Sequence, residues 1–132
     1  MSKKSKKFSG KWSSSKKPRK QKKFRYNAPL HLKHRFVRAL LSKELRKKHS
    51  KRNIGIRKGD KVRIMRGDFR KKEGKVERVD LKKGMVSISG VEMTKRDGTK
   101  VQKFLQPSNL MIIDLDTGDK FRQKILDRKQ LK

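Results

Sequence analysis

A chain of 132 residues with 43 Lys and Arg against 12 Asp and Glu carries a formal net charge of +31, far beyond what solubility requires, so its partner is a polyanion. No stretch approaches the roughly 20 apolar residues that span a bilayer, and the basic start lacks the apolar segment of a secretory signal, which sets membranes aside and points to an intracellular protein. With no cysteine there is no disulfide, thiolate zinc ligand or cysteine nucleophile, and at 30% hydrophobic and 42% charged only part of the chain can form a packed core.

Charge divides the chain. Residues 1–43 hold 16 Lys and Arg and no acid, and from Glu44 onward there are 27 basic residues against 12 acidic ones. Residues 1–27 read as a basic flexible arm, because Lys and Ser dominate and Phe8, Trp12 and Phe24 fall at neither helical nor strand spacing. The arm is either a solvated tail or a segment that orders on RNA, with Lys16, Lys17, Arg19, Lys22, Lys23 and Arg25 meeting phosphates and Trp12 available to stack on a base. Over residues 28–53, Leu32, Phe36, Val37, Leu40, Leu41 and Leu45 recur at helical spacing and predict a helix, broken near Ser42. That stripe would pack on the domain that follows, leaving Lys33, His34, Arg35 and Arg38 for phosphate.

Residues 54–116 change to a period of two. Five short runs, KVRIM (61–65), KVERVDL (75–81), MVSIS (85–89), KVQKFL (100–105) and NLMIIDL (109–115), are separated by Gly, Asn and Pro turn chemistry. They predict a mainly β fold, a small barrel with Val62, Ile64, Val76, Val79, Val86, Ile88, Val101, Leu105 and Ile112 as its core. Residues 117–132 place Phe121, Ile125 and Leu126 near helical spacing, a short C-terminal helix.

The most informative stretch is RKGDKVRIMRGDFRKKEGKVERV (57–79), a strand, a basic loop and a second strand. Gly67 and Gly74 are its structural turn positions, and Gly74 is expected to hold backbone angles that a residue with a Cβ resists. The segment resembles a KOW motif, the strand–loop–strand element of ribosomal proteins and transcription elongation factors, which implies an SH3-like barrel. Its flanks, APLHLKHRFVRALLSKELRKKHSKRNIGIRKGD before and GTKVQKFLQPSNLMIIDLDTGDK after, resemble the archaeal and eukaryotic form of the large-subunit ribosomal family numbered twenty-four, with LSKELR and QPSNL nearest its pattern and nearer the archaeal members.

That resemblance implies a cytoplasmic protein of the ribosome. It would bind the first domain of large-subunit rRNA near the opening of the peptide exit tunnel, touch neighbouring large-subunit proteins and act early in assembly. On the loop the candidate RNA-binding residues are Arg66, Phe69, Arg70, Lys71, Lys72 and Lys75. Many KOW loops have a second glycine where Lys71 stands, a departure that bears on the loop tip and on the contacts carried over to Arg70, Lys71 and Lys72. Phe69 has either an unpaired base or a pocket at the barrel end as its partner.

An enzyme is not expected. His31, His34 and His49 have no nearby carboxylate to orient them, and no Ser/His/Asp or paired-acid arrangement appears. Asp114, Asp116 and Asp119 around Gly118 lack the glycine and glutamate spacing of a calcium loop and read as a strand end and helix cap. No cofactor, metal or small-molecule substrate is expected. The rival reading is a KOW-type transcription elongation factor, and a DNA-binding chromatin-like protein is a third.

Overall fold

The structure, a computed structural model, describes residues 8–128. A 3-10 turn at Gly10–Ser14 leads into helix α1 (Pro18–Asn27), with Pro18 in the first turn, where its missing N–H costs nothing. Helix α2 (Leu30–Phe36) is followed by strand β1 (Arg38–Leu41), helix α3 (Lys43–His49) and strand β2 (Asn53–Gly55). Then come β3 (Lys61–Ile64), β4 (Glu73–Asp80), β5 (Met85–Thr94), β6 (Lys100–Leu105), a 3-10 turn at Pro107–Asn109, β7 (Leu110–Asp114) and helix α4 (Lys120–Asp127).

The seven strands hydrogen-bond in the order β2-β1-β7-β3-β4-β5-β6. Neighbours are antiparallel except β1 and β7, which run parallel with Leu41 opposite Ile112. Among the described residues no pairing joins β2 to β6, so the strands form a mixed sheet, a mainly β domain as expected, in which closure into a barrel is not seen. Of the two additional strands, β1 comes from the segment read as helical and β2 begins at its last residue, Asn53. Arg38–Leu41 alternates exposed and buried, and its backbone pairs on both sides, so tertiary pairing overrides a spacing that also fits a helix. Helix α3 then starts at Ser42, whose hydroxyl accepts from the Leu45 amide, and ends at Ser50 in the left-handed region.

Val37, Ala39 and Leu41 from this segment join Ile54, Ile56, Val62, Ile64, Val76, Val86, Ile88, Val91, Leu110 and Ile112 in one core. Val79 and Leu105 pack against it half-buried, and Val101, expected inside, is 43% exposed on the outer strand β6.

The arm also differs from its expectation. Gln21 bonds through Nε2 to the carbonyls of Ser13 (2.8 Å) and Ser15 (2.7 Å), folding the 3-10 turn back on α1. Phe8 then meets Phe24 at 5.3 Å, Phe24 meets Phe36 at 6.0 Å, and the Lys23 ammonium sits 4.8 Å above Trp12. These rings have no sequence period because a reversal of the chain, not one helix face, brings them together. Residues 1–7 and 129–132, parts of the predicted arm and C-terminal extension, lie outside the described residues.

Candidate nucleic-acid interface

The β3–β4 loop is held by its own backbone. The Lys71 amide donates to the Ile64 carbonyl (2.8 Å), the Ile64 amide to Lys72 (2.9 Å) and the Arg70 amide to Gly67 (3.0 Å). Arg66, Arg70, Lys71 and Lys72 are exposed on it, and Lys75 follows on β4 opposite Lys61. Gly67 has φ +91°, and Lys71 takes φ +72° without being glycine. Lys71, where the resemblance led to a second glycine, is thus left-handed, which costs a residue with a Cβ roughly 1 kcal/mol.

Gly74 is required for a different reason from the one expected. It lies within β4 outside the left-handed region, but a Cβ there would stand 2.6 Å from Ile88 Cγ2 and 2.6 Å from the Ser89 carbonyl oxygen. A close crossing of β5, not an unusual φ, excludes a side chain. Phe69 packs half-buried against the core, with the ammonium groups of Lys72 and Lys103 each 5.1 Å from its ring. One side of the ring thus has a partner within the protein.

The other predicted cations fall on separate elements. Lys16 and Lys17 precede α1, which carries Arg19, Lys22, Lys23 and Arg25, all exposed. Lys33 extends to the Lys82 carbonyl at 3.3 Å and, with Arg25, lines a hollow of about 560 Å³ beside Lys82, Lys83 and Gln106. His34, Arg35 and Arg38 border a groove of about 1430 Å³ that none of the loop residues reaches. Residues 51–58 and 77–79 and Leu81 also line this groove. Lys51, Arg52, Arg57, Lys58 and Arg78 were therefore missed as site candidates. The basic run SKRNIGIRK held the available signal, but nothing in it shows that Arg78, some 20 residues on, lies beside it.

One side of the groove rests on a buried ion pair. The Asp60 carboxylate accepts from Arg122 Nη1 (2.5 Å) and Nη2 (2.7 Å), the Arg57 amide (2.9 Å) and the Asp116 amide (3.1 Å). Arg122 also donates to the carbonyls of Asp116 (2.8 Å) and Gly55 (3.2 Å). Asp60 and Arg122 are almost wholly buried, so α4, capped by Asp119 and anchored by Leu126, is fixed on the sheet by a bidentate pair.

Several of the acids are engaged by neighbouring cations and amides. Glu73 bridges Arg63 at 2.5 Å and Lys61 at 3.5 Å, Asp68 bridges Lys103 at 3.1 Å, and Asp119 pairs with Arg57. The Arg63 hydrogen bond holds Glu73 below the usual carboxylate range, the Lys83 amide does the same for Asp80, and Thr99 for Asp97. Among the described residues, Arg35, Arg38, Arg52, Lys58, Arg66, Arg70 and Lys71 make no ion pair, so their charge faces outward. Among the described residues no cluster of His, Asp or Glu could hold a metal, and no helix is long and apolar enough to cross a membrane.

Residues 15–129, which include the loop, the groove and the buried pair, match the family described as ribosomal proteins L26 in eukaryotes and L24 in archaea. The chain belongs to this family. It is 50% identical over 114 residues to the large ribosomal subunit protein uL24 of Methanothrix thermoacetophila, covering 86% of this chain and 98% of that protein. It is 47% identical over 113 residues to the large ribosomal subunit protein uL24 of Pyrobaculum islandicum, covering 86% of this chain and 92% of that one. The family is structural and not enzymatic, and membership at this identity agrees with the archaeal character of LSKELR and QPSNL.

Proposed function

We propose that the chain is a structural constituent of the large ribosomal subunit in the cytoplasm, bound to the first domain of large-subunit rRNA near the exit-tunnel opening and helping to nucleate assembly beside neighbouring large-subunit proteins. The observation that carries this reading is the outward, unpaired cation field in a member of a ribosomal protein family. Residues 57–79 are its KOW element, and the SH3-like character lies in the sheet built around the β3–β4 hairpin.

The sheet positions the charge, and RNA supplies the counter-charge. Phosphates displace condensed counterions as Lys and Arg approach, which gives affinity without base readout, while specificity comes from the shape of folded RNA. Lys16, Lys17, Arg19, Lys22, Lys23 and Arg25 on the arm, Lys33, His34, Arg35 and Arg38 after it, and Arg66, Arg70, Lys71, Lys72 and Lys75 around the loop are the residues assigned to phosphate. Phe69 is assigned to shaping the loop beneath them.

The test is filter binding to a transcript of the first rRNA domain at stepped salt. The logarithm of the affinity should fall with a slope of roughly −0.7 to −0.9 for each phosphate neutralised. Changing Arg70, Lys71 and Lys72 together to Ala should make that slope shallower at an unchanged melting temperature. A slope near zero for the wild-type chain would refute the reading.

A further inference from the structure

The groove differs in kind from the rest of the basic surface. Its cations Arg35, Arg38, Arg52 and Lys58 stand around an apolar lining in which Ile54 is buried, Val79 and Leu81 are half-buried and Ile125 is 40% exposed. A solvated phosphate-binding face needs no apolar lining. Arg122, which also lines the groove, keeps a buried Nε donor with no partner among the described residues, although its other two nitrogens are fully engaged. At about 1430 Å³ the groove exceeds the roughly 300–1,000 Å³ of ordinary small-molecule sites and has room for a segment of polymer.

Resting on the RNA-binding reading above, we infer that this groove takes an unpaired stretch of RNA, with a base extruded from its helix covering the apolar lining and the flanking phosphates held by Arg35, Arg38, Arg52 and Lys58. A paired A-form helix offers mainly backbone and would leave the lining uncovered, whereas an unstacked base has two apolar faces to bury. The groove is then the structure-selective site, and the β3–β4 loop, whose one aromatic ring faces the core, is the charge-only site.

The inference is tested by fluorescence anisotropy with two labelled RNAs, a fully paired duplex and the same duplex carrying a single-stranded bulge. Wild type should prefer the bulged RNA. Arg38→Ala with Arg52→Ala, both exposed positions, and separately Ile125→Glu should weaken the bulged RNA by about tenfold and the duplex far less. The Ala triple at Arg70, Lys71 and Lys72 should weaken both RNAs alike. Groove variants that weaken both RNAs equally, or neither, would overturn the site, as would a wild type without preference, and RNA binding would stand in each case. If wild type binds neither RNA, the RNA-binding reading falls and this site with it.

Discussion

Removing the Asp60 carboxylate should destabilise the fold more than any surface charge change. In Asp60→Asn the Arg122 guanidinium stays buried at 1% exposure, but the carboxylate that held both of its terminal nitrogens is gone. Breaking one side of such a pair costs on the order of 3–5 kcal/mol, against about 5–15 kcal/mol for the stability of a typical domain. Arg122→Met should cost a similar amount, since it leaves Asp60 with only its two backbone donors. The double change Asp60→Asn with Arg122→Met removes both charges and should cost clearly less than the sum of the single changes. Urea denaturation followed by circular dichroism gives the cycle. Additive effects, or single changes each below about 1 kcal/mol, would refute the argument that this pair anchors α4.

At the loop, Gly74→Ala should lower stability by about 1–3 kcal/mol through the clash with Ile88 and Ser89, whereas Lys71→Gly should raise it by up to about 1 kcal/mol by relieving a left-handed residue. Thermal melts that place the two changes in the opposite order would contradict both assignments. Glu73, Asp80 and Asp97 have depressed folded pKa values, so their contribution is present above the unfolded carboxylate range and is lost as pH falls through the folded values. Melting temperature should therefore drop below about pH 4, and a flat profile there would count against these hydrogen bonds. His49 is held below 6.5, mainly by burial and then by Lys48, so its proton resonances should titrate below that value. In the arm, Phe24→Ala removes the ring shared by Phe8 and Phe36 and should lower far-ultraviolet helical signal, with no loss if the cluster does not order the helix.

Five of the seven strands were legible as short apolar runs between turn residues, with the alternation plainest in β3, where Val62 and Ile64 point inward. Strands β1 and β2 were not. Leu40 and Leu41 follow Phe36 and Val37 at a spacing that suits a helix, and only pairing with β7, some 70 residues on, makes that segment extended. The three-residue β2 is too short to show a period. Gly74 was singled out for its backbone angles, whereas the atoms that a Cβ there would meet lie on β5, which the local sequence does not display. The loop cations were readable as a run, whereas the groove joins α2, β1, β2, β4 and α4 and so exists only in the fold. Asp60 and Arg122 are 62 residues apart, and nothing local distinguishes them from other charged residues.

Sedimentation of a salt-washed lysate through a sucrose gradient, with the chain located by mass, tests membership of the large subunit most directly. The account predicts that the chain co-sediments with large-subunit particles and leaves them only when salt is raised far enough to compete for phosphate. Recovery with RNA polymerase, or at the top of the gradient at every salt concentration, would contradict it.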